Sequence, residues 1–199
     1  ADQRILQVLS VIFQPVTQAG LKKVLKELGW VSDSGQLLAD RVNSLQKMQW
    51  FDAGLIIETE DCVKCSPLIE EVLTRKVEAD GVLNEVVVAA ESAIPARPYR
   101  DFGGYIAAQG SEDRCLRNAL YQNDIDTVLN ELCIDEPFES ADFPVAMPLV
   151  MMCSTPFEPK WFSQRDIAIQ YQVLNTYLTY GTSSISPHIS TYYDVIEAI

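Results

Sequence analysis

Within its first 81 residues the chain carries three apolar stripes at helical spacing, then two short β-prone runs around an acidic turn, then a fourth stripe. This order limits its fold more than any other feature. Ile5, Val8, Leu9 and Ile12 recur as on a helix that buries one face. Phe13-Gln14-Pro15 ends that helix, because proline cannot continue the ladder of amide hydrogen bonds. Thr17 suits the N-cap of a second helix, Leu21, Val24, Leu25 and Leu28 its buried stripe, and Gly29 its C-terminal stop. Lys22, Lys23 and Lys26 then fall toward solvent. Ser32-Asp33-Ser34-Gly35 is turn chemistry. Leu38, Val42, Leu45 and Met48 predict a third helix whose outer side offers Gln36, Asp40, Asn43, Gln46 and Lys47, with Arg41 as its only arginine.

After Trp50-Phe51 and Asp52-Ala53-Gly54, the run Leu55 to Thr59 has β character and Cys62 to Cys65 can return beside it, with Glu58, Glu60 and Asp61 at the tip. Ser66-Pro67 reads as N-cap and first-turn proline of a fourth helix with Leu68, Ile69, Val72 and Leu73 inward. Three short helices followed by a β-hairpin is the winged-helix order, in which the third helix can enter a DNA groove. Its core is expected around Leu9, Leu25, Leu45 and Leu73.

The remainder reads as helical. Val82 to Ala93 is apolar, and Ala93 to Gly104 is a loop rich in Pro and Gly. Leu116, Ala119 and Leu120, a turn at Asn123-Asp124, then Ile125, Val128, Leu129 and Leu132 predict two antiparallel helices resembling one unit of a helical repeat. An acidic connector (Asp135, Glu136, Glu139) precedes a helix over Asp142 to Cys153, and Thr155 to Trp161 is loop-like. Ser163 is expected to cap a last clear helix with Ile167, Tyr171, Leu174 and Leu178 inward and Gly181 as its end. A further helix is expected from about Ser190. Trp161, Phe162, Tyr171, Tyr177, Tyr180, Tyr192 and Tyr193 form an aromatic cluster that packing explains better than partner contact. The fold expected is therefore mainly α, with a winged-helix module over residues 1–81 and a helical, repeat-like region over 82–199.

Charge restricts function. Residues 1–81 hold 9 Lys and Arg against 12 Asp and Glu, a net of −3, and residues 82–199 hold 6 against 16, a net of −10. A surface this acidic repels phosphate backbones and anionic membranes. An acidic hairpin tip is also the wrong sign for a wing that touches DNA, so packing against protein is the favoured use of the module. No apolar run approaches the roughly 18 residues of a membrane span, and the N-terminus lacks the pattern of a secretory signal. Five scattered cysteines, an odd number, suit reduced thiols in a cytoplasm better than a disulfide framework. The chain begins without Met and closes at Ile199 in a helical pattern, so a piece of a longer protein, cut at its C-terminal end, is expected.

Motifs that could carry chemistry are incomplete. Cys62-Val63-Lys64-Cys65 has the spacing of a metal or redox pair, but a strand puts the two thiols on opposite faces and zinc needs about four ligands. His188, the only histidine, could join Ser184 or Ser186 and Asp194, yet no nucleophile elbow is present. Gly103-Gly104 lacks the phosphate-loop lysine. Carboxylate pairs such as Glu70-Glu71 and Asp124/Asp126 are expected on exposed faces or in turns. No cofactor, metal or catalytic residue is assigned. The candidate interaction residues are Gln36, Asn43 and Lys47.

The segment Gly20-Leu21-Lys22-Lys23-Val24-Leu25-Lys26-Glu27-Leu28-Gly29-Trp30, the helical pair Leu116 to Leu132, and Pro156-Phe157-Glu158-Pro159-Lys160-Trp161-Phe162 resemble the N-terminal accessory region of large bacterial SNF2-family helicase-like proteins. The resemblance implies an ATP-driven duplex-DNA translocase motor downstream and none of its ATP-binding motifs here. It points to a non-catalytic accessory or protein-interaction region whose partner is another protein or the rest of its own chain, with duplex DNA reached only through the whole protein. The rival is a winged-helix transcription regulator with a helical sensing domain.

Overall fold

The first helix, α1 (Asp2–Ile12), is buried on every side from Ile5 to Ile12, polar Gln7 and Ser10 included. A helix so enclosed is the centre of its unit rather than a surface layer. The computed structural model describes residues 2–42, 49–59, 61–94, 111–132 and 147–178. They are mainly helical, with one small sheet.

α1 ends where Phe13 takes a left-handed conformation (φ 62°), an unusual one for a bulky residue, just ahead of Pro15. The chain then forms a short strand absent from the sequence expectation, β1 (Val16–Thr17). Thr17 is at once its last residue and the N-cap of α2 (Gln18–Leu28), accepting from the Gly20 amide at 3.1 Å. Leu21, Val24, Leu25 and Leu28 are buried, and Gly29 closes the helix at φ 61°, both as the spacing requires. Gly20 sits where α2 meets its neighbours: a Cβ there would lie 2.8 Å from Cγ2 of Val16 and 3.6 Å from Cδ1 of Ile94.

The turn Ser32–Gly35 leads into α3 (Leu38–Arg41), with Leu38, Ala39 and Val42 buried; the helix is only four residues long, because the backbone turns extended at Val42 (ψ 94°), where the expected stripe would have continued it. Residues 43–48, with the expected Leu45 and Met48 of the stripe, lie outside the described residues. Strands β2 (Ile56–Thr59) and β3 (Cys62–Cys65) form the expected hairpin. Antiparallel pairing runs from Ile56 opposite Cys65 to Thr59 opposite Cys62, and β1 adds to the other edge of β3, giving the order β1-β3-β2.

Helix α4 (Pro67–Ala79) starts at Ser66-Pro67 as expected, but it buries the opposite face. Leu68 and Val72 are 86% and 49% exposed and Leu73 is half-buried, whereas Glu70, Glu71, Thr74, Arg75 and Val77 are buried. The reason is its neighbour. α4 packs on α1, whose polar Gln7 and Ser10 need partners once enclosed. Thr74 donates from Oγ1 to the Ser10 hydroxyl at 3.2 Å, and Gln7 donates from Nε2 to Asp80 at 3.2 Å. Glu70 receives the Lys64 ammonium at 3.9 Å. The buried face of α4 is thus the polar one, against its apolar periodicity.

The composition break near Gly81 is a turn (φ 73°) within one unit. α5 (Leu83–Ala93) lays Val86, Val87 and Ala90 against α2 and α1, and the first unit runs from residue 1 to 114, the second from 115 to 199. The boundary expected at 81 reflected a change in charge. Charge is a surface property and does not show which helices share a core.

α6 (Ser111–Gln122) crosses the boundary after residue 114; its second-unit part buries Leu116, Ala119 and Leu120, and α7 (Ile125–Leu132) follows after Asn123 (φ 57°). This is the helix–turn–helix the pattern predicts. The Asp124 carboxylate accepts from the Thr127 amide at 3.2 Å and from its hydroxyl at 2.8 Å, capping α7. α8 (Met147–Ser154) is the described part of the expected 142–153 helix, and a short helix, α9 (Pro159–Phe162), interrupts the expected loop.

The last described helix, α10 (Ile167–Thr176), is capped by Asp166, whose side chain accepts from the Ala168 amide at 2.8 Å. Ser163, the expected cap, ends α9 instead. α10 also turns the expected stripe outward: Ile167, Tyr171 and Leu178 are exposed and Leu174 is half-buried, while Ile169, Gln170, Val173 and Thr176 are buried. No charge marks a solvent side between residues 167 and 178, so two apolar faces competed and packing on α8 chose between them. The expected end at Gly181 and the helix from Ser190 lie outside the described residues.

Candidate interaction surfaces

The sequence assigned contact to Gln36, Asn43 and Lys47. Gln36 is exposed in the loop ahead of α3, held by its backbone: its carbonyl accepts from the Ser32 amide at 2.8 Å and its amide donates to the Ser32 hydroxyl at 3.3 Å. Asp40 is exposed beside it and Arg41 is half-buried. Asn43 and Lys47 lie outside the described residues, as does Gln46.

The hairpin shows Glu58 and Asp61 to solvent. Its one described cation, Lys64, turns back toward the fold, 4.5 Å from the centroid of the Phe13 ring and 3.9 Å from Glu70. Cys62 and Cys65 fall on opposite faces of β3, half-buried and buried, as strand alternation dictates. Among the described residues no group of three or more His, Cys, Asp or Glu side chains could hold a metal ion. Glu70 and Glu71, expected on an exposed face, are buried against α1, whereas Asp124 and Asp126 are exposed. His188, Ser184, Ser186, Asp194 and Gly103-Gly104 lie outside the described residues.

Two apolar patches were not foreseen, because each follows from a face read the wrong way round. One is Leu68 and Val72 on α4. The other is Ile167 and Tyr171 on α10, 71% and 67% exposed. In the second unit, Arg117 and Arg165 are turned inward. Arg165 is buried, donating from Nη1 to the carbonyls of Leu120 and Tyr121 at 3.2 and 3.3 Å with its guanidinium 4.6 Å from the Trp161 ring. Arg117 is fully buried, 5.3 Å from the Tyr121 ring. Planar guanidinium suits such stacked, enclosed positions. Asp124 remains at the surface, and its hydrogen bonds from the Thr127 hydroxyl and amide hold its carboxyl below the usual carboxylate range.

In the first unit, burial pulls the Arg114 guanidinium below its ordinary range while the Glu91 carboxylate opposes the shift. Its Nη1 donates to the Ile94 carbonyl at 3.0 Å.

Small apolar gaps interrupt the described interior in both units. One is lined by Leu9, Leu21, Val42, Trp50, Ile56 and Val63 among others, and another by Val150, Cys153, Phe157, Phe162 and Val173. Neither carries the convergent polar groups of a ligand site. No helix among the described residues is long and apolar enough to cross a membrane. No protein-family model, no curated protein and no solved structure matches this chain.

Proposed function

We propose that this chain is a non-catalytic accessory region that makes protein contacts within a larger SNF2-type helicase-like protein. In this reading residues 1–81 form a winged-helix module used for packing. Support comes from the element sequence α1-β1-α2-α3-β2-β3 and the strand order β1-β3-β2. The observation that carries the reading is the hairpin: it presents Glu58 and Asp61, while Lys64 is folded back on Phe13 and Glu70. An element meant to grip phosphate would do the reverse. Duplex DNA is then reached through the motor of the whole protein, and the location is cytoplasmic.

A winged-helix transcription regulator is the rival reading. One observation favours it: Lys23 and Lys26 are exposed and Lys22 half-exposed along α2. Of two tests, the first separates the readings and the second checks that the chain is non-catalytic. The coding region downstream should contain a Gly-rich phosphate-binding loop, and this chain alone should turn over no ATP above blank. A reading frame that ends without a motor would contradict the first reading, as would ATP turnover by the chain itself.

A further inference from the structure

Helix α10 carries no charge. One side, with Ile169 and Val173 beside Gln170 and Thr176, meets α8; on the other, Ile167 and Tyr171 stand largely in water one helical turn apart, followed by exposed Asn175. Two large apolar side chains adjoining in water mark a contact surface better than scattered single ones do. What frames the stripe indicates what would enclose it. Asp166 caps its N-terminal end, and the Asp166 amide donates to Asn123 at 2.8 Å, which brings the Asn123-Asp124 turn to the same end of the helix as Ile167. Two carboxylates therefore stand near the start of the stripe.

Across the described residues of this unit, Asp124, Asp126 and Glu158 are exposed and Glu131 and Asp166 half-exposed, whereas Lys160 is the only exposed Lys or Arg. The sequence of residues 115–199 has three Lys and Arg against eleven Asp and Glu. A second copy would bring the same acidic rim and be repelled. A segment with apolar residues at helical spacing and flanking Lys or Arg would satisfy both the stripe and the rim.

Building on the interaction role above, we propose that the Ile167–Tyr171 face of α10 docks a basic amphipathic helix of a protein partner. Tyr171 is the central anchor: a large side chain, rigid beyond two torsions and rich in contact area, as interface hot spots tend to be. The carboxylates at the helix start set its orientation and speed its encounter.

The test uses the whole chain and a synthetic helical probe of about 18 residues, long enough to hold a helix on binding, with Leu on one face and Lys on the other. A matched probe carries Glu in place of Lys. Fluorescence anisotropy should show micromolar binding of the Leu/Lys probe, weakened by added salt, and none of the Leu/Glu probe. Tyr171→Ser should weaken binding about tenfold or more, while Leu68→Ser, on the other exposed patch, should leave it unchanged. Thermal melts establish that both variants fold, as expected for exposed positions. The proposal is overturned if wild type binds no probe, if the two probes bind alike, or if Tyr171→Ser binds as wild type does. A wild-type dimer in light scattering that Tyr171→Ser dissolves would also overturn it, in favour of a second copy as occupant. Loss of binding in Leu68→Ser alone would move docking to α4, leaving the interaction role standing; that role fails separately, through ATP turnover or a reading frame that lacks a motor.

Discussion

Leu25→Ala and Leu68→Ser test the packing of the first unit. The two leucines lie on neighbouring amphipathic patterns that look equally apolar, yet Leu25 is fully buried on α2 and Leu68 is 86% exposed on α4. Removing a buried leucine side chain costs its transfer free energy plus the cavity left behind, about 2–5 kcal/mol in total. Against a domain stability of about 5–15 kcal/mol this is a large fraction. With about 4 °C per kcal/mol for a unit of this size, the melting temperature should fall by about 8–20 °C. Leu68→Ser removes almost no buried area and should stay within about 0.5 kcal/mol, or roughly 2 °C. Circular dichroism melts of the two variants beside wild type decide the matter. Equal losses would mean that α4 faces α1 with its leucines rather than with Thr74.

Gly20→Ala should lower the melting temperature even though alanine favours a helix by about 1 kcal/mol. The new Cβ would come within 2.8 Å of a β-branched valine, and a rise in melting temperature would refute that close approach. The Asp124 cap should weaken in acid. Its carboxyl titrates lower in the folded chain than unfolded, so its contribution is complete above the ordinary carboxylate range and is lost as pH falls through the lowered value. The stability gap between wild type and Asp124→Asn should thus shrink at low pH, and a gap that widens would contradict the capping role. Replacing Glu58 and Asp61 together with lysine should create salt-sensitive affinity for duplex DNA in an electrophoretic shift. No gain would mean that the hairpin is not what keeps phosphate away.

Several helix ends were legible in the sequence because caps are local chemistry, although Asp166 rather than Ser163 caps α10 and α3 stops early at Arg41. Thr17 starts a helix through its side chain, Gly29 ends one through its left-handed backbone, and Pro67 opens another at the first turn after Ser66, which makes no side-chain cap bond. Helix faces were less so. α4 and α10 both carry two candidate stripes, and the choice depends on the neighbour: Gln7 and Ser10 of α1 in one case, α8 in the other. Strand β1 escaped notice because it has two residues and exists only through pairing with β3. Of the candidate contact residues, Gln36 is exposed, but in the loop ahead of α3 rather than on the helix. The surfaces the sequence missed, Leu68 with Val72 and Ile167 with Tyr171, were hidden by the same ambiguity, since an apolar stripe reads as core until a polar one outcompetes it.

The central claim is that this chain meets proteins and does not grip DNA by itself. The direct measurement is anisotropy of a labelled duplex of about 20 base pairs titrated with the isolated chain at low and at physiological salt. The exposed carboxylates of the hairpin and the inward turn of Lys64 predict no binding at micromolar protein in physiological salt. Binding there, with an affinity that falls steeply as salt rises, would reveal several phosphate contacts and contradict the account.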